Sequence, residues 1–275
     1  MAYQTTLNSE VSYVGVGLHS GVDVHMTLKP AQANTGIVFV RNDLPGMPQV
    51  QAKAANVTST LRATTIEDNG IKMFTIEHLM SAFNALGIDN CQVLIDSEEP
   101  PVADGSSKVF VELITKAGIK TLDVVRQEII IDRLYRVEDG DKFVLAVPYD
   151  GFRVSFTSIN PHPLIGIQYG DYEINPTVFE KEVAPARTIA YEAEVEALRQ
   201  MGLGLGGTME NVIVYNDQGW MNELRYPDEL VRHKILDIVG DLRLAGIVKG
   251  HFIAVKSGHA LNTTMAKLLY KEFCK

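Results

Sequence analysis

The amino-acid sequence predicts an α+β protein built from two similar domains, each a β-sheet packed with two helices. The main observation is an order of elements that occurs twice: strand-like segments, a helix that ends in leucine, alanine and glycine, a strand, a turn and a last helix. The second is the length of 275 residues, which suits two domains of ordinary size. We place the first domain at residues 1–122 and the second at residues 127–275.

The first half opens with segments in which apolar and polar residues alternate, as in half-buried strands: Val11–Val14, His25–Leu28 and Gly36–Val40. A helix follows from Thr75, because five apolar residues lie on one face at helical spacing: Ile76, Leu79, Met80, Phe83 and Leu86. Thr75 is the expected N-cap and Gly87 the expected stop. A strand at Gln92–Ile95, a loop rich in proline and glycine, and a helix over residues 106–117 complete this half.

The second half repeats this order. Its strand-like segments are Glu128–Val137, Lys142–Val147 and Phe152–Phe156, and a helix at residues 230–245, a strand at 251–256 and a helix at 262–273 follow. Residues 188–214 have no counterpart in the first half. They predict a short amphipathic helix at 190–201, a glycine-rich turn and a strand at 212–215. An insertion that interrupts a repeat often carries specificity.

Composition excludes several classes of protein. A hydrophobic content of 46% indicates a globular protein, and a net charge of −9 argues against nonspecific nucleic-acid binding. The two cysteines, Cys91 and Cys274, are too few and too distant for a disulfide framework, so Cys91 is expected to be a buried structural thiol. Residues 1–10 lack a signal-peptide pattern, and no apolar run is long enough to span a bilayer. We therefore expect a cytoplasmic protein without stable membrane insertion, and a monomer.

The helix at residues 230–245 carries the first candidate chemistry. His233, Asp237 and Asp241 follow one another at intervals of four residues and share a face opposite the apolar stripe. A solvated polar face would explain the carboxylates alone. A histidine followed four residues later by an aspartate can also hold one metal ion, although this short motif needs a third ligand.

The pair Glu77-His78 offers that third ligand. It lies in the first turn of the helix at Thr75, off its apolar stripe, where an ordinary surface turn is the alternative. With His78 as ligand, the site would have three protein ligands and one open position, as catalytic zinc sites do. Glu77 would then be an adjacent acid or base.

Of two further motifs, one is a candidate functional site and the other is excluded. His259 follows Gly258 at a turn between a strand and a helix, where side chains often face clefts, although an exposed loop histidine is an equal alternative. The segment Gly202-Leu203-Gly204-Leu205-Gly206-Gly207 matches the spacing of a dinucleotide-binding loop. However, a helix precedes it and a strand follows, the reverse of the required order, so we interpret it as a flexible or tightly packed turn.

Over nearly its whole length the chain resembles the UDP-3-O-acyl-N-acetylglucosamine deacetylases of lipid A biosynthesis. The resemblance rests on several long motifs in the right order: Gly15-Val16-Gly17-Leu18-His19-Ser20-Gly21, Thr75-Ile76-Glu77-His78-Leu79, Ala103-Asp104-Gly105-Ser106, Ala186-Arg187-Thr188, Val231-Arg232-His233-Lys234 through Asp237, Gly240-Asp241-Leu242, and Lys256-Ser257-Gly258-His259-Ala260-Leu261-Asn262. It implies two similar α+β domains with the active site between them. It also implies a zinc-dependent hydrolase that removes the acetyl group of an acylated UDP-N-acetylglucosamine.

The resemblance assigns roles to the candidate residues. It implies that Zn²⁺ is held by His78, His233 and Asp237, that Glu77 is the general base for the attacking water, and that His259 is a general acid or electrostatic partner oriented by Asp241. Thr188 would stabilise the oxyanion, and Lys234 would contact the sugar or assist at the site. Lys142 and Lys256 would meet the diphosphate. An apolar passage for the acyl chain would be bordered by Leu18, Leu61, Met201, Leu203 and Leu205, and His19 and Ile189 are further implied substrate contacts.

The chain departs from the family pattern at two positions. Ile189 stands where the family usually has an aromatic residue after Ala-Arg-Thr, and Asn160 stands where a phenylalanine often stacks on uracil. Neither position belongs to the implied metal and acid–base set, which is complete.

Three other functions fit parts of the sequence. A non-catalytic paralogue could bind acylated UDP-sugars, but binding alone has no need for an acid–base pair. A zinc peptidase would be expected to carry H-E-x-x-H, whereas Glu77 here precedes a single histidine. A purely structural protein would need none of these side chains.

Overall fold

In the computed structural model, residues 2–274 are described, and the elements before residue 126 form one set. The strands are β1 Tyr3–Leu7, β2 Val11–Val16, β3 Asp23–Pro30, β4 Ile37–Arg41, β5 Gln49–Gln51, β6 Val57–Ser59, β7 Thr65–Asp68, β8 Ile71–Met73, β9 Cys91–Ile95 and β10 Ile119–Val125. The helices are α1 Glu77–Ala85 and α2 Lys108–Ala117, and a 3₁₀ turn covers Ala54–Asn56.

The elements from residue 128 onwards form a second set. The strands are β11 Glu128–Ile130, β12 Tyr135–Asp139, β13 Lys142–Val147, β14 Phe152–Ile159, β15 Ile167–Glu173, β16 Thr188–Tyr191, β17 Val212–Asn216, β18 Gly219–Trp220 and β19 Ile247–Val255. The helices are α3 Pro176–Val178, α4 Glu192–Gln200, α5 Glu229–Leu242 and α6 His259–Phe273, with a π turn at Phe179–Val183 and a 3₁₀ turn at Arg243–Ala245.

Two sheets share one strand order. The first runs β2-β3-β9-β4-β5, and the second runs β12-β13-β19-β14-β15, with β11 added beside β19. The strand that follows the buried helix has matching partners in the two sheets: β9 pairs antiparallel with β3 and parallel with β4, and β19 pairs antiparallel with β13 and parallel with β14 and β11. The prediction of a mixed α+β fold in two similar sheet-and-helix units is therefore confirmed. The division at residues 122 and 127 stays a prediction.

Helices α1 and α5 pack directly against each other and join the two units. The Nδ2 group of Asn84 in α1 donates to the carbonyl of Val239 in α5, at 2.7 Å. Gly240 permits the close contact, because a Cβ atom there would lie 2.1 Å from the carbonyl oxygen of Glu77. Helix α5 is buried on its polar side as well as its apolar side, so a solvated face for His233, Asp237 and Asp241 is wrong.

The ends of α1 differ in how well they were predicted. Thr75 does not cap the helix: Ile76 occupies the N-cap position, and the buried Thr75 hydroxyl has no hydrogen-bond partner among residues 2–274. Gly87 ends the helix as predicted, with a positive φ of 67° and an amide that donates to the carbonyl of Asn84. Helix α6 begins at His259, three residues before the predicted start.

The inserted segment is a strand–helix–strand unit rather than a helix and a strand. Its first strand, β16, pairs parallel with β17, so residues 190 and 191 are extended and not helical. The glycine-rich turn after α4 is tightly packed, since a Cβ atom on Gly206 would lie 2.1 Å from the carbonyl oxygen of Gly17. This packing, and the helix-before-strand order, agree with the exclusion of a dinucleotide-binding loop.

Cys91 lies buried in β9, where burial raises the pKa of its thiol to about 12. This environment matches the expected structural thiol, since a high pKa disfavours the reactive thiolate. Within residues 2–274, no helix has both the length and the apolar character required to cross a bilayer.

Candidate active site

Three buried side chains converge where α1 meets α5. His78 comes from the first turn of α1, and His233 and Asp237 lie one turn apart on α5. The Nε2 atom of His233 lies 3.4 Å from Oδ1 of Asp237, and Nε2 of His78 lies 4.0 Å from the same oxygen. One ligand atom from each residue falls within 4.8 Å of the others, so these residues could hold a metal ion.

The hydrogen bonds around His233 and Asp237 leave one atom of each side chain available to bind a cation. Nδ1 of His233 donates to the carbonyl of Ala186 at 3.1 Å, which leaves the lone pair of Nε2 free. Lys234 donates to Oδ2 of Asp237 at 2.8 Å, while the buried Oδ1 has no hydrogen-bond partner among the described residues. A buried carboxylate oxygen without a partner is costly unless another positive group meets it.

The protonation states also suit a metal. Burial, together with the neighbouring His233, lowers the pKa of His78 to about 3, and burial likewise lowers the pKa of His233. Burial acts to raise the pKa of Asp237, but His233 and Lys234 outweigh it and hold that pKa below its ordinary value. Two neutral imidazoles and one carboxylate result. In a tetrahedral site with bonds of about 2.0–2.1 Å, such ligand atoms lie about 3.3 Å apart. The distance of 3.4 Å between His233 and Asp237 is close to this value, and the 4.0 Å between His78 and Asp237 is longer.

Glu77 lies beside this group and is buried with it. Burial raises the pKa of its carboxyl group to about 7, against the opposing effect of His259. One carboxylate oxygen, Oε2, accepts from the backbone amide of Thr64 at 3.0 Å, and the other, Oε1, lies 3.9 Å from Nε2 of His259. A carboxyl group that changes charge near neutral pH can act as a general base.

His259 and Asp241 form a second pair on the far side of Glu77. Nδ1 of His259 donates to Oδ2 of Asp241 at 2.9 Å, and Nδ2 of Asn262 donates to the same oxygen at 2.9 Å. Burial alone would lower the pKa of His259, but the carboxylates of Asp241, Asp237 and Glu77 raise it to about 10. The imidazole is therefore a cation at neutral pH and can donate a proton from Nε2.

A cavity of about 690 Å³ connects these groups, within the usual size range of small-molecule sites. Most of the predicted site residues line it: Leu18, His19, Glu77, His78, Thr188, Ile189, His233, Lys234, Asp237 and His259. Asp241 lies behind His259, fully buried. Asn160 also lines the cavity.

Other predicted contacts do not line this cavity. Leu61 and Met201 are 68% and 63% exposed, and Leu203 and Leu205 do not line the cavity, although Gly204 and Gly207 of the same turn do. Lys142 is exposed, and Lys256 forms an ion pair with Asp141. The structure thus brings together the candidate metal and acid–base residues, whereas these six side chains do not line the cavity.

Several cavity residues were missed by the sequence analysis. Tyr191 and Tyr215 face each other across β16 and β17, with ring centroids 5.0 Å apart. They were missed because residues 190 and 191 were assigned to a helix. Arg62 and Glu194 form an ion pair at 2.9 Å between the loop after β6 and α4, and both line the cavity. No periodicity in the sequence could have paired residues so far apart.

Comparisons with known proteins agree on one family. A family model described as UDP-3-O-acyl N-acetylglycosamine deacetylase matches residues 4–271. A protein of Hahella chejuensis named UDP-3-O-acyl-N-acetylglucosamine deacetylase is 46% identical over 99% of this chain and 92% of its own length. Proteins of the same name from Marinobacter nauticus and Pseudomonas entomophila are 44% and 45% identical, over 99% of this chain and 91% of theirs.

Proposed function

This chain belongs to the UDP-3-O-acyl-N-acetylglucosamine deacetylase family, and we propose that it hydrolyses the N-acetyl group of UDP-3-O-(3-hydroxyacyl)-N-acetylglucosamine. The products are acetate and the free amine, in an early step of lipid A biosynthesis. The observation that carries the proposal is the convergence of the three candidate ligands and the pair Glu77 and His259 on one cavity. Binding without catalysis has no need for such a pair.

We propose Zn²⁺ as the resident metal, held by His78, His233 and Asp237. The support is the donor set of two neutral histidines and one carboxylate, and the free Oδ1 atom of Asp237. Bound zinc supplies a Lewis acid that polarises the amide carbonyl and makes water nucleophilic near neutral pH.

Glu77 and His259 each carry out one of the two proton transfers. Glu77 accepts a proton from the attacking water through the oxygen that does not bind Thr64, while the water oxygen bonds to the carbonyl carbon. His259, held protonated by its three carboxylate neighbours, donates its Nε2 proton to the leaving nitrogen as the carbon–nitrogen bond breaks. Positioned acids and bases of this kind each contribute about 10²–10⁴-fold to the rate.

Other residues bind and orient the substrate in this proposal. Thr188 and Lys234 line the cavity, where Thr188 would donate to the developing oxyanion and Lys234 would contact the sugar. The insert contributes Ile189, Val195 and Leu198 to the lining of the cavity that Leu18 also lines, and this apolar lining suits an acyl chain. Lys142 and Lys256 stay the proposed contacts of the diphosphate, which requires Lys256 to leave Asp141. A cytoplasmic monomer also stays our proposal.

An acetate-release assay combined with metal analysis tests the function. Purified protein is given the acylated nucleotide sugar, and UDP-N-acetylglucosamine without the acyl chain serves as the control substrate. We expect acetate from the acylated substrate at a much higher kcat/KM, and about one zinc per chain. Binding of the acylated substrate to zinc-loaded protein without any acetate release would contradict the proposal and favour a non-catalytic paralogue.

A further inference from the structure

Thr64 connects the two halves of the acid–base machinery. It lies between β6 and β7 in the first unit and is fully buried, with an exposed fraction of 0%. Its backbone amide donates to Oε2 of Glu77 at 3.0 Å, and its hydroxyl donates to Oδ1 of Asp241 at 2.5 Å. One residue thus holds the candidate base on α1 and the carboxylate on α5 that orients His259.

The hydrogen bonds around Asp241 show what the hydroxyl contributes. Oδ2 of Asp241 accepts hydrogen bonds from His259 and Asn262 of α6, whereas Oδ1 accepts a hydrogen bond from the hydroxyl of Thr64. The carboxylate is therefore clamped from both sides, which sets the plane of the carboxyl group and with it the direction of the His259 ring. Without the hydroxyl, Oδ1 would be a buried acceptor lacking that partner, and such an atom shifts to find another.

The backbone amide of Thr64 fixes the orientation of the Glu77 carboxylate. With Oε2 held, Oε1 is the oxygen left facing His259 at 3.9 Å. Both bonds come from the same residue, so the position of the base and the orientation of the acid depend on one short loop. That loop belongs to the first unit, whereas Asp241 and His259 belong to the second.

We infer that Thr64 is a positioning residue. It fixes the base Glu77 directly, and the acid His259 through Asp241, relative to each other across the domain interface. The inference rests on the deacetylase function proposed above. It predicts that loss of the hydroxyl slows the chemical step and leaves both metal and substrate binding in place, because the hydrogen bonds of Thr64 go to Glu77 and Asp241 and not to the three proposed ligands.

The variant Thr64→Val tests this, because it removes the hydroxyl, keeps the shape of the side chain and keeps the backbone amide. Since general acid–base catalysis contributes about 10²–10⁴-fold, we expect partial misplacement to lower kcat by about 10- to 100-fold. KM should stay within about twofold and zinc content should be unchanged, because neither depends on the acid–base geometry. Thr64→Ser, which restores the hydroxyl, should recover most of the wild-type kcat.

A matched control is Thr6→Val. Thr6 is 2% exposed, and its hydroxyl donates to the carbonyl of Asn90 and accepts from the amide of Ala31, each at 2.8 Å. It carries the same change at a buried hydroxyl that does not line the cavity. We expect this variant to unfold at a lower temperature and to keep the wild-type kcat.

A second readout is independent of turnover. In protein labelled with ¹⁵N-histidine, the Nδ1 proton of His259 should resonate far downfield because of its bond to Asp241, and its assignment follows from its loss in His259→Ala. Thr64→Val should move this resonance, and Thr6→Val should not. Absence of acetate release by the wild type would remove the proposed function but leave this resonance test intact.

Three outcomes would overturn the inference. The first is a wild-type kcat and an unmoved resonance in Thr64→Val. The second is an equal loss of kcat in Thr64→Val and Thr6→Val, which would assign the effect to general destabilisation. The third is a loss in Thr64→Ser as large as in Thr64→Val, which would make packing of the methyl group responsible rather than the hydroxyl.

Discussion

The substitution Gly240→Ala is expected to push α1 away from α5 at the point where both helices contribute side chains to the site. A Cβ atom at this position would lie 2.1 Å from the carbonyl oxygen of Glu77 and 3.2 Å from its Cα atom. Carbon–oxygen contacts in proteins begin near about 3.3 Å, so the helices must part by about 1 Å. Glu77 and His78 would move with α1, while His233 and Asp237 would stay with α5.

The expected consequences differ in size. A displacement of about 1 Å at reacting groups can cost about 10²-fold in rate, so we expect kcat to fall by about that factor. Overpacking costs about 1–3 kcal/mol, and the better helix propensity of alanine returns about 1 kcal/mol of it. The net loss of about 0–2 kcal/mol should lower the melting temperature by at most a few degrees. Activity should thus suffer far more than stability.

The assay compares kcat, zinc content and melting temperature for wild type, Gly240→Ala and a control, Gly258→Ala. Gly258 has an extended backbone, with φ at −156°, and within residues 2–274 no heavy atom beyond its own residue and its two chain neighbours lies within 4 Å of an added Cβ. The control should therefore keep its kcat within about twofold, since the added methyl group forces no helix to move. We expect Gly240→Ala to lose zinc affinity as well as rate. Wild-type kcat and zinc content in Gly240→Ala would refute the reasoning, because the close contact of α1 with α5 would then not position the ligands.

Three further predictions concern the proposed chemistry. Glu77→Ala and His233→Ala should both abolish acetate release, but only His233→Ala should also lower zinc content; equal zinc loss in both would make Glu77 a ligand. Because neighbouring carboxylates raise the pKa of His259 to about 10, its protonated form persists up to that pH, and kcat/KM should fall as pH rises through about 10; an unchanged alkaline limb in a residually active His259→Ala variant would assign that limb to another group. Removal of metal by a chelator should abolish turnover and lower the melting temperature, and added Zn²⁺ should restore both, whereas full activity of verified metal-free protein would exclude a metal-dependent reaction.

The sequence by itself determined those features that depend on neighbours along the chain. Apolar periodicity located α1 and α5, and the interval of four residues placed His233 and Asp237 on one side of one helix, where they lie 3.4 Å apart. The repeated order of elements also predicted two similar units, because hydrophobic patterning reflects which local segments can bury a face. The third candidate ligand, His78, was predicted from the pair Glu77-His78 in the first turn of the first helix, and the motif resemblance then implied the same residue.

Only the tertiary structure decided the features that depend on contacts between distant segments. From the sequence alone, the polar side of α5 could be a solvated face. It is buried because α1 of the other unit packs against it. The bonds of Thr64 to Glu77 and Asp241, and the facing rings of Tyr191 and Tyr215, join residues from separate elements. Local propensity carries no information about such pairs, since they form only when the two sheets and the insert are packed together.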